Sequence, residues 1–270
     1  MEDGSRMFLT LALYVLLFMT AVMVAAWAFG LRAKNGGWTD VFWTFGTGIA
    51  LSGAALFPIA GDAMPGPRQW LIAGLAALWA IRLGGYLAPR VAAHEDPRYA
   101  RFRKDWGDDY ARNMLFVTLP QAAATALLAL SVIPAAHAPG PLGLRDVLGV
   151  AILVLAILGE GLADAQMKGF RGGPANKGKV CDSGLWGWSR HPNYFFQWFG
   201  WLAYPVIAIH PAQPLTWLSI AAPLVMFILL TRISGVPPLE EAMLRSRGEA
   251  YRAYQARVSS FFPWPPKAHA

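Results

Sequence analysis

Long apolar stretches alternate with short polar ones along this chain, at residues 7–30, 39–60, 69–90, 114–135, 145–168, 192–210 and 214–233. A helix needs about 20 apolar residues to cross roughly 30 Å of hydrocarbon. The pattern therefore predicts an all-α integral membrane protein with seven transmembrane helices and its termini on opposite faces. After the last stretch, Pro237 and Pro238 end the membrane helix, and Glu240 and Glu241 begin another with an acidic first turn, as the macrodipole favours. Tyr251, Tyr254, Val258 and Phe262 recur on one face, which predicts an amphipathic C-terminal helix. It either lies at the interface or acts as a lid over a ligand loop. The end, Phe261 to Pro266, reads as an aromatic interfacial anchor.

Charge gives the pattern an orientation. Of 23 Lys and Arg residues, only Arg6, Arg68 and Arg145 fall in outer segments, and Arg82 lies within an apolar stretch. The others cluster in the loops and tail on the opposite face. The positive-inside rule then puts the N-terminus outside and the C-terminus and functional loops in the cytosol. Only 14% of the 270 residues are charged, against about 25% in soluble domains. The net charge of +7 sits in loops between apolar stretches, so it indicates topology and an anionic ligand, with no nucleic acid. One cysteine, Cys181, excludes an intramolecular disulfide, and the five scattered histidines show no metal-ligand spacing. Residues 7–30 are too long for a signal-peptide core and read as a retained first span.

The richest chemistry lies between Leu158 and Tyr204. Glu160, Asp164, Lys168 and Arg171 are spaced to stack on one helix face. A glycine-rich loop with Lys177 and Lys179 follows, then Arg190, His191, Pro192, Asn193 and Tyr194. Proline is preset for helix entry, and a helix N-terminus offers N–H groups and partial positive charge. Cations, glycines and a helix start suit a polyanion such as a nucleotide pyrophosphate. The plainer reading is a basic loop that only fixes topology. A second polar set lies in the N-terminal half. Asp40 shares a face with Trp43, Thr44 and Thr47, and Arg82 shares one with Trp79 and Tyr86. Asp40 either is solvated or balances Arg82, while Arg82 either snorkels or faces a cavity or partner. The mixed-charge run 90–112 reads as a solvated helix face, or else Arg98 and Arg101 clamp a phosphate.

Glu160-x3-Asp164-x6-Arg171, the Gly-Lys loop, Ser183-Gly-Leu-Trp-x3-Arg190-His-Pro-Asn-Tyr194, and Arg232 before the Glu/Tyr-rich tail resemble the steroid 5α-reductase family. The resemblance covers about residues 145–264 and is of a bacterial type. It implies a single membrane domain over 1–270, with residues 1–135 forming the substrate side and 145–264 the cofactor-binding reductase region. The family binds NADPH in a cytosol-open cavity and transfers hydride to the β-carbon of an enone such as a Δ4-3-keto steroid. By position, Asp164, Arg171, Asn193 and Arg232 match its cofactor residues. Arg98, Glu160, Lys168, Lys179, Arg190, His191, Tyr194, Glu240 and Tyr254 complete the expected cofactor set. Trp79 stands where the family has its catalytic tyrosine, and Gln197 where it has a glutamate. The expected catalytic group is therefore Tyr86 as donor, Asp40 as its orienting partner and Arg82 as charge balance. A monomer in a bacterial inner membrane, taking a lipid or steroid-like substrate amid membrane lipids, completes the expectation. The Arg-His-Pro element and Glu-Glu tail also resemble isoprenylcysteine carboxyl methyltransferases, which use S-adenosylmethionine. That cofactor carries no phosphate and leaves the lysines without a purpose. A non-catalytic lipid-binding or sensor protein is the third reading.

Overall fold

The computed structural model describes residues 2–58 and 64–267. Twelve α-helices form among them: α1 (Glu2–Arg32), α2 (Trp38–Leu56), α3 (Pro67–Ala93), α4 (Pro97–Trp106), α5 (Tyr110–Thr118), α6 (Pro120–Ala136), α7 (Leu144–Gly172), α8 (Pro192–Trp201), α9 (Ala203–Ala208), α10 (Ala221–Ile228), α11 (Val236–Arg247) and α12 (Glu249–Arg257). No strand forms among the described residues, only an isolated parallel bridge between Ser189 and Ser259.

Five helical stretches are long and apolar enough to cross a membrane: Arg6–Arg32, Pro67–Ala93, Pro97–Ala136, Leu144–Gly172 and Pro214–Arg247. This is a multi-pass membrane protein. Two of the seven expected stretches are not among the five. The second is the 19-residue α2, about 28 Å long at 1.5 Å per residue; residues 59 and 60 of that expectation lie outside the described residues. The sixth breaks at Leu202 into α8 and α9. Pro205 explains the break, because its ring nitrogen cannot donate to the Trp201 carbonyl and clashes with it. The expected single C-terminal helix is also two helices. Gly248, at φ +52°, separates α11 from α12, a conformation that favours glycine. Phe262 lies beyond α12 rather than on its face.

The chain divides into two compact units, residues 1–147 with 204–222 and residues 148–203 with 223–270. In the first, α2 packs against α1, α3 and α6. A Cβ on Gly48 of α2 would lie 2.2 Å from the Ala80 Cβ of α3, and one on Gly46 would lie 2.8 Å from Val22 of α1. Small residues let helix backbones approach where lipid supplies no hydrophobic drive for their association. Polar pairs add to this, with the Thr47 and Thr125 hydroxyls 2.9 Å apart and Ser52 donating to the Ala73 carbonyl. At one end Arg68 forks onto Asp146 at 2.8 and 2.9 Å and donates to the carbonyls of Gly140 and Pro141, fixing the turn into α7.

In the second unit, Phe196 of α8 packs where a Cβ on Gly159 of α7 would sit 2.4 Å from its ring. Phe195, Trp198, Phe227, Phe261 and Phe262 form an aromatic cluster. Past α10 the ladder widens into a π-helical turn, Leu229–Ile233, with the Ser234 N–H donating five residues back to Leu229 at 2.8 Å.

Gly48→Ala is expected to lower the thermal midpoint sharply, because a methyl 2.2 Å from Ala80 forces α2 and α3 apart. Gly53→Ala, with nothing within 4 Å, is expected to leave it unchanged or raise it slightly. Thermal unfolding of both variants in the same detergent checks the pair.

Candidate functional site

The segment 184–191 is held by helices on both sides of it in sequence. Residues Gly184–Gly187 form a 3-10 turn seated on α7, where Trp186 Nε1 donates to the Ala163 carbonyl at 3.0 Å and Leu185 N–H to Gln166 Oε1 at 2.9 Å. From the tail, the Tyr254 hydroxyl donates to the Trp186 carbonyl at 2.6 Å. Burial keeps that hydroxyl protonated far above the usual tyrosine range, and the nearby Tyr251 adds to it. Ser189 is fully buried and donates to the Phe261 carbonyl at 2.8 Å.

Arg190 and His191 converge on one carboxylate. Arg190 Nε donates to Glu240 Oε1 at 2.7 Å, and His191 Nε2 lies 3.2 Å from the same oxygen. Gln255 donates to the other oxygen, Oε2, at 2.8 Å. Arg190 Nη1 reaches the Val258 and Gln255 carbonyls. Tyr194 stacks on His191 with centroids 5.6 Å apart. Four expected cofactor residues, Arg190, His191, Glu240 and Tyr254, thus brace the tail against the loop. Sequence reasoning missed Gln255, Ser189 and Gln166, whose partners lie 15 or more residues away.

The other expected residues are arranged differently. Lys168, Arg171, Lys177 and Lys179 are exposed, and their side chains make no ion pair or hydrogen bond among the described residues. The same holds for Arg232, exposed in the π-helical turn. Glu160 and Asp164 lie on the buried face of α7 at 6% and 7% exposure. Asn193 stands in the first turn of α8, whose N-terminus has no side-chain cap.

In the first unit, Asp40 is engaged otherwise than expected. Its carboxylate accepts from the Tyr99 hydroxyl at 2.7 Å and pairs with Arg98 at 2.9 Å. It is therefore not the orienting partner of Tyr86, whose hydroxyl makes no hydrogen bond among the described residues. What Tyr86 has is the Arg82 guanidinium, 5.8 Å from its ring centroid. Arg98 also pairs with Asp96 at 3.0 Å, so it serves this ion network and is not held ready for a phosphate. Arg82 and Tyr86 stand four residues apart on α3, as the helical spacing predicts.

The family model DUF1295, described as a protein of unknown function, matches residues 26–258. The chain belongs to the DUF1295 family. No curated protein and no solved structure matches it. In this DUF1295 chain the matched stretch includes the Arg190–Glu240 brace, the exposed lysine loop and the Asp40 network. Among the described residues no group of three or more His, Cys, Asp or Glu could hold a metal ion.

Asp96 caps α4 by accepting the Arg98 N–H at 3.0 Å, and pairs with Arg90 at 2.7 Å. Burial works against its charged form, but Arg98's charge and hydrogen bonds, with Arg90's charge, outweigh that and hold the carboxyl below the usual range. A folded-state value below the unfolded one stabilises above the unfolded pKa of about 3.9 and is lost as pH falls below it. Asp96→Ala should cost roughly 1–2 kcal/mol at neutral pH through the lost cap and pairs. The deficit relative to wild type should shrink as the pH falls through that range. Thermal midpoints at pH 7 and near pH 3 check this.

The two classes of cofactor-side residue also separate by mutation. Arg190→Ala leaves the part-buried Glu240 with only His191 and Gln255 as partners, and losing hydrogen bonds to a charged group costs about 1.5–3 kcal/mol. Lys177→Ala should leave the ligand-free midpoint within about 0.5 kcal/mol of wild type, as surface changes do. Thermal unfolding without ligand distinguishes them.

Proposed function

We propose that this protein is a membrane-embedded, NADPH-dependent reductase acting on the C=C bond of an α,β-unsaturated ketone, a Δ4-3-keto steroid or similar lipid. The observation that supports it is the set Lys168, Arg171, Lys177 and Lys179, exposed and unneutralised beside a glycine-rich loop. A fold that satisfies Arg190 internally and leaves four cations open has a donor set fit for a ligand with several phosphates. Asp164 and Asn193, matched by the resemblance, would orient the ligand's hydroxyls and amide. Bound there, the reduced nicotinamide supplies the hydride.

In this reading α2 and the α8–α9 segment complete seven crossings, the N-terminus is outside, and the 168–191 loop faces the cytosol of a bacterial inner membrane. The positive-inside distribution supports that orientation. The protein acts as a monomer on an apolar substrate reached from the lipid.

Hydride addition at the β-carbon forms the new C–H bond, shifts the C=C π electrons to the bond between the α-carbon and the carbonyl carbon, and places the carbonyl π pair as negative charge on its oxygen. A donor preorganised for that oxygen supplies much of the catalysis. Tyr86 is the donor in this reading, because its hydroxyl is not committed to another group and Arg82 lies against its ring. Arg82 would favour the phenolate left when the proton moves to oxygen. The α-carbon takes its proton as the enol returns to the ketone. Asp40, held by Arg98 and Tyr99, would shape the helix end instead.

Purified protein titrated with NADPH and with S-adenosylmethionine tests the cofactor assignment. At 100 times its dissociation constant a ligand specific to the folded state adds about 2.7 kcal/mol of stability. Only NADPH should raise the midpoint, and Arg171→Ala should weaken it by roughly 10- to 100-fold, as expected for a charge-assisted bond. Stabilisation by the methyl donor alone transfers the reading to a methyltransferase. With cofactor bound, Tyr86→Phe should abolish NADPH oxidation on a Δ4-3-keto steroid while leaving cofactor affinity unchanged; full activity would remove Tyr86 as donor.

A further inference from the structure

Past α12 the chain runs as an arm along residues 186–191 of the same unit. Arg190 N–H donates to the Ser259 carbonyl at 2.8 Å and Trp264 N–H to the Trp188 carbonyl at 3.0 Å. Lys267 N–H then turns back to the Arg257 carbonyl, also at 3.0 Å. These backbone bonds enclose an open groove of about 380 Å³, lined among others by Arg190, Arg257, Ser259, Ser260, Trp264 and Lys267.

Among the described residues the groove has cations and hydroxyls on its walls and no acidic side chain. Arg190 is neutralised by Glu240, and Arg257 is paired with Asp182 at 3.0 Å, where the aspartate is half exposed. The Lys267 ammonium has no acidic partner among the described residues. An excess of positive charge therefore remains, on a backbone already fixed. One wall is the Trp264 ring, 71% exposed, and Trp188 and Phe262 beside the arm are about half exposed. Exposed aromatic rings together with Lys and Arg mark a membrane–water interface, where basic pockets select anionic head groups. A guanidinium, an ammonium and hydroxyl donors match phosphate oxygens.

We propose that this groove is a second anion site, and that it holds the phosphate of an anionic phospholipid head group. Apart from Arg190 it shares no residue with the proposed cofactor set, and residues 259–267 lie beyond the stretch matched to the family. The lipid would clamp the arm to the bilayer and, through the Arg190–Ser259 and Trp264–Trp188 bonds, steady the loop the arm lies on.

The test uses the full chain, delipidated in neutral detergent, titrated with dihexanoyl-phosphatidylglycerol, dihexanoyl-phosphatidylcholine and inorganic phosphate. Thermal midpoints and native mass spectra are the readouts. Phosphatidylglycerol should bind and raise the midpoint, and phosphatidylcholine should do neither. Lys267→Gln, changed at an exposed position, should weaken phosphatidylglycerol about tenfold, the loss of one charge-assisted contact. Arg257→Gln should weaken it further while NADPH titration stays as in wild type. Equal response to both lipids overturns the proposal, as does wild-type lipid affinity in Lys267→Gln. Inorganic phosphate binding as tightly as the lipid reduces the groove to a soluble-anion site and also overturns it. Displacement of the lipid by NADPH assigns the groove to the cofactor instead.

Discussion

Much of the second unit depends on the carboxylate of Glu240. It receives Arg190, His191 and Gln255, so three segments far apart in sequence meet at two oxygens. The guanidinium of Arg190 passes the constraint on to the carbonyls of Gln255 and Val258, which fixes where α12 ends. Ser189 and Tyr254 complete the fastening on either side. Charges this poorly hydrated are tolerated because both carboxylate oxygens and the guanidinium find partners; a single missing member would leave the others costly. The loop that bears the open cations runs into this fixed base.

The first unit solves a different problem. Its helices cannot gain by hiding apolar surface from lipid, so close approach and hydrogen bonds must hold them. Gly48 against Ala80, Gly46 against Val22, and the Thr47–Thr125 bridge supply both. At the ends, where water returns, ion networks take over. Arg68 gathers the turn before α7, and Asp40, Arg98, Asp96 and Arg90 tie the start of α2 to the α3–α4 turn.

Apolar stretches were legible in the sequence because length and periodicity are local properties. The breaks at Leu202 and Gly248 have local causes, in Pro205 and in the glycine itself, but the long apolar pattern concealed the first and the aromatic periodicity the second. The division among cations was not legible. Arg171 and Arg190 look alike along the chain, yet one is open and the other is bound to a carboxylate 50 residues later. Asp40 likewise pairs with Arg98, 58 residues on, and not with the polar face of the neighbouring helix. Such pairings are decided by tertiary placement, which spacing within one helix does not encode.

The π-helical turn at Leu229–Ile233 makes the length of that segment a structural quantity. One added residue in a helical turn rotates everything after it by about 100°. Gly235 follows because a Cβ there would sit 2.3 Å from the Leu230 carbonyl oxygen. The chain then bends at Ser234 and Gly235 before α11 begins, so the direction in which α11 leaves, and with it the approach of Glu240 to Arg190, is set at this junction. Drift in loop length elsewhere can be absorbed by slack, but a one-residue change between the turn and α11 would re-aim α11 and carry the carboxylate away from its partners.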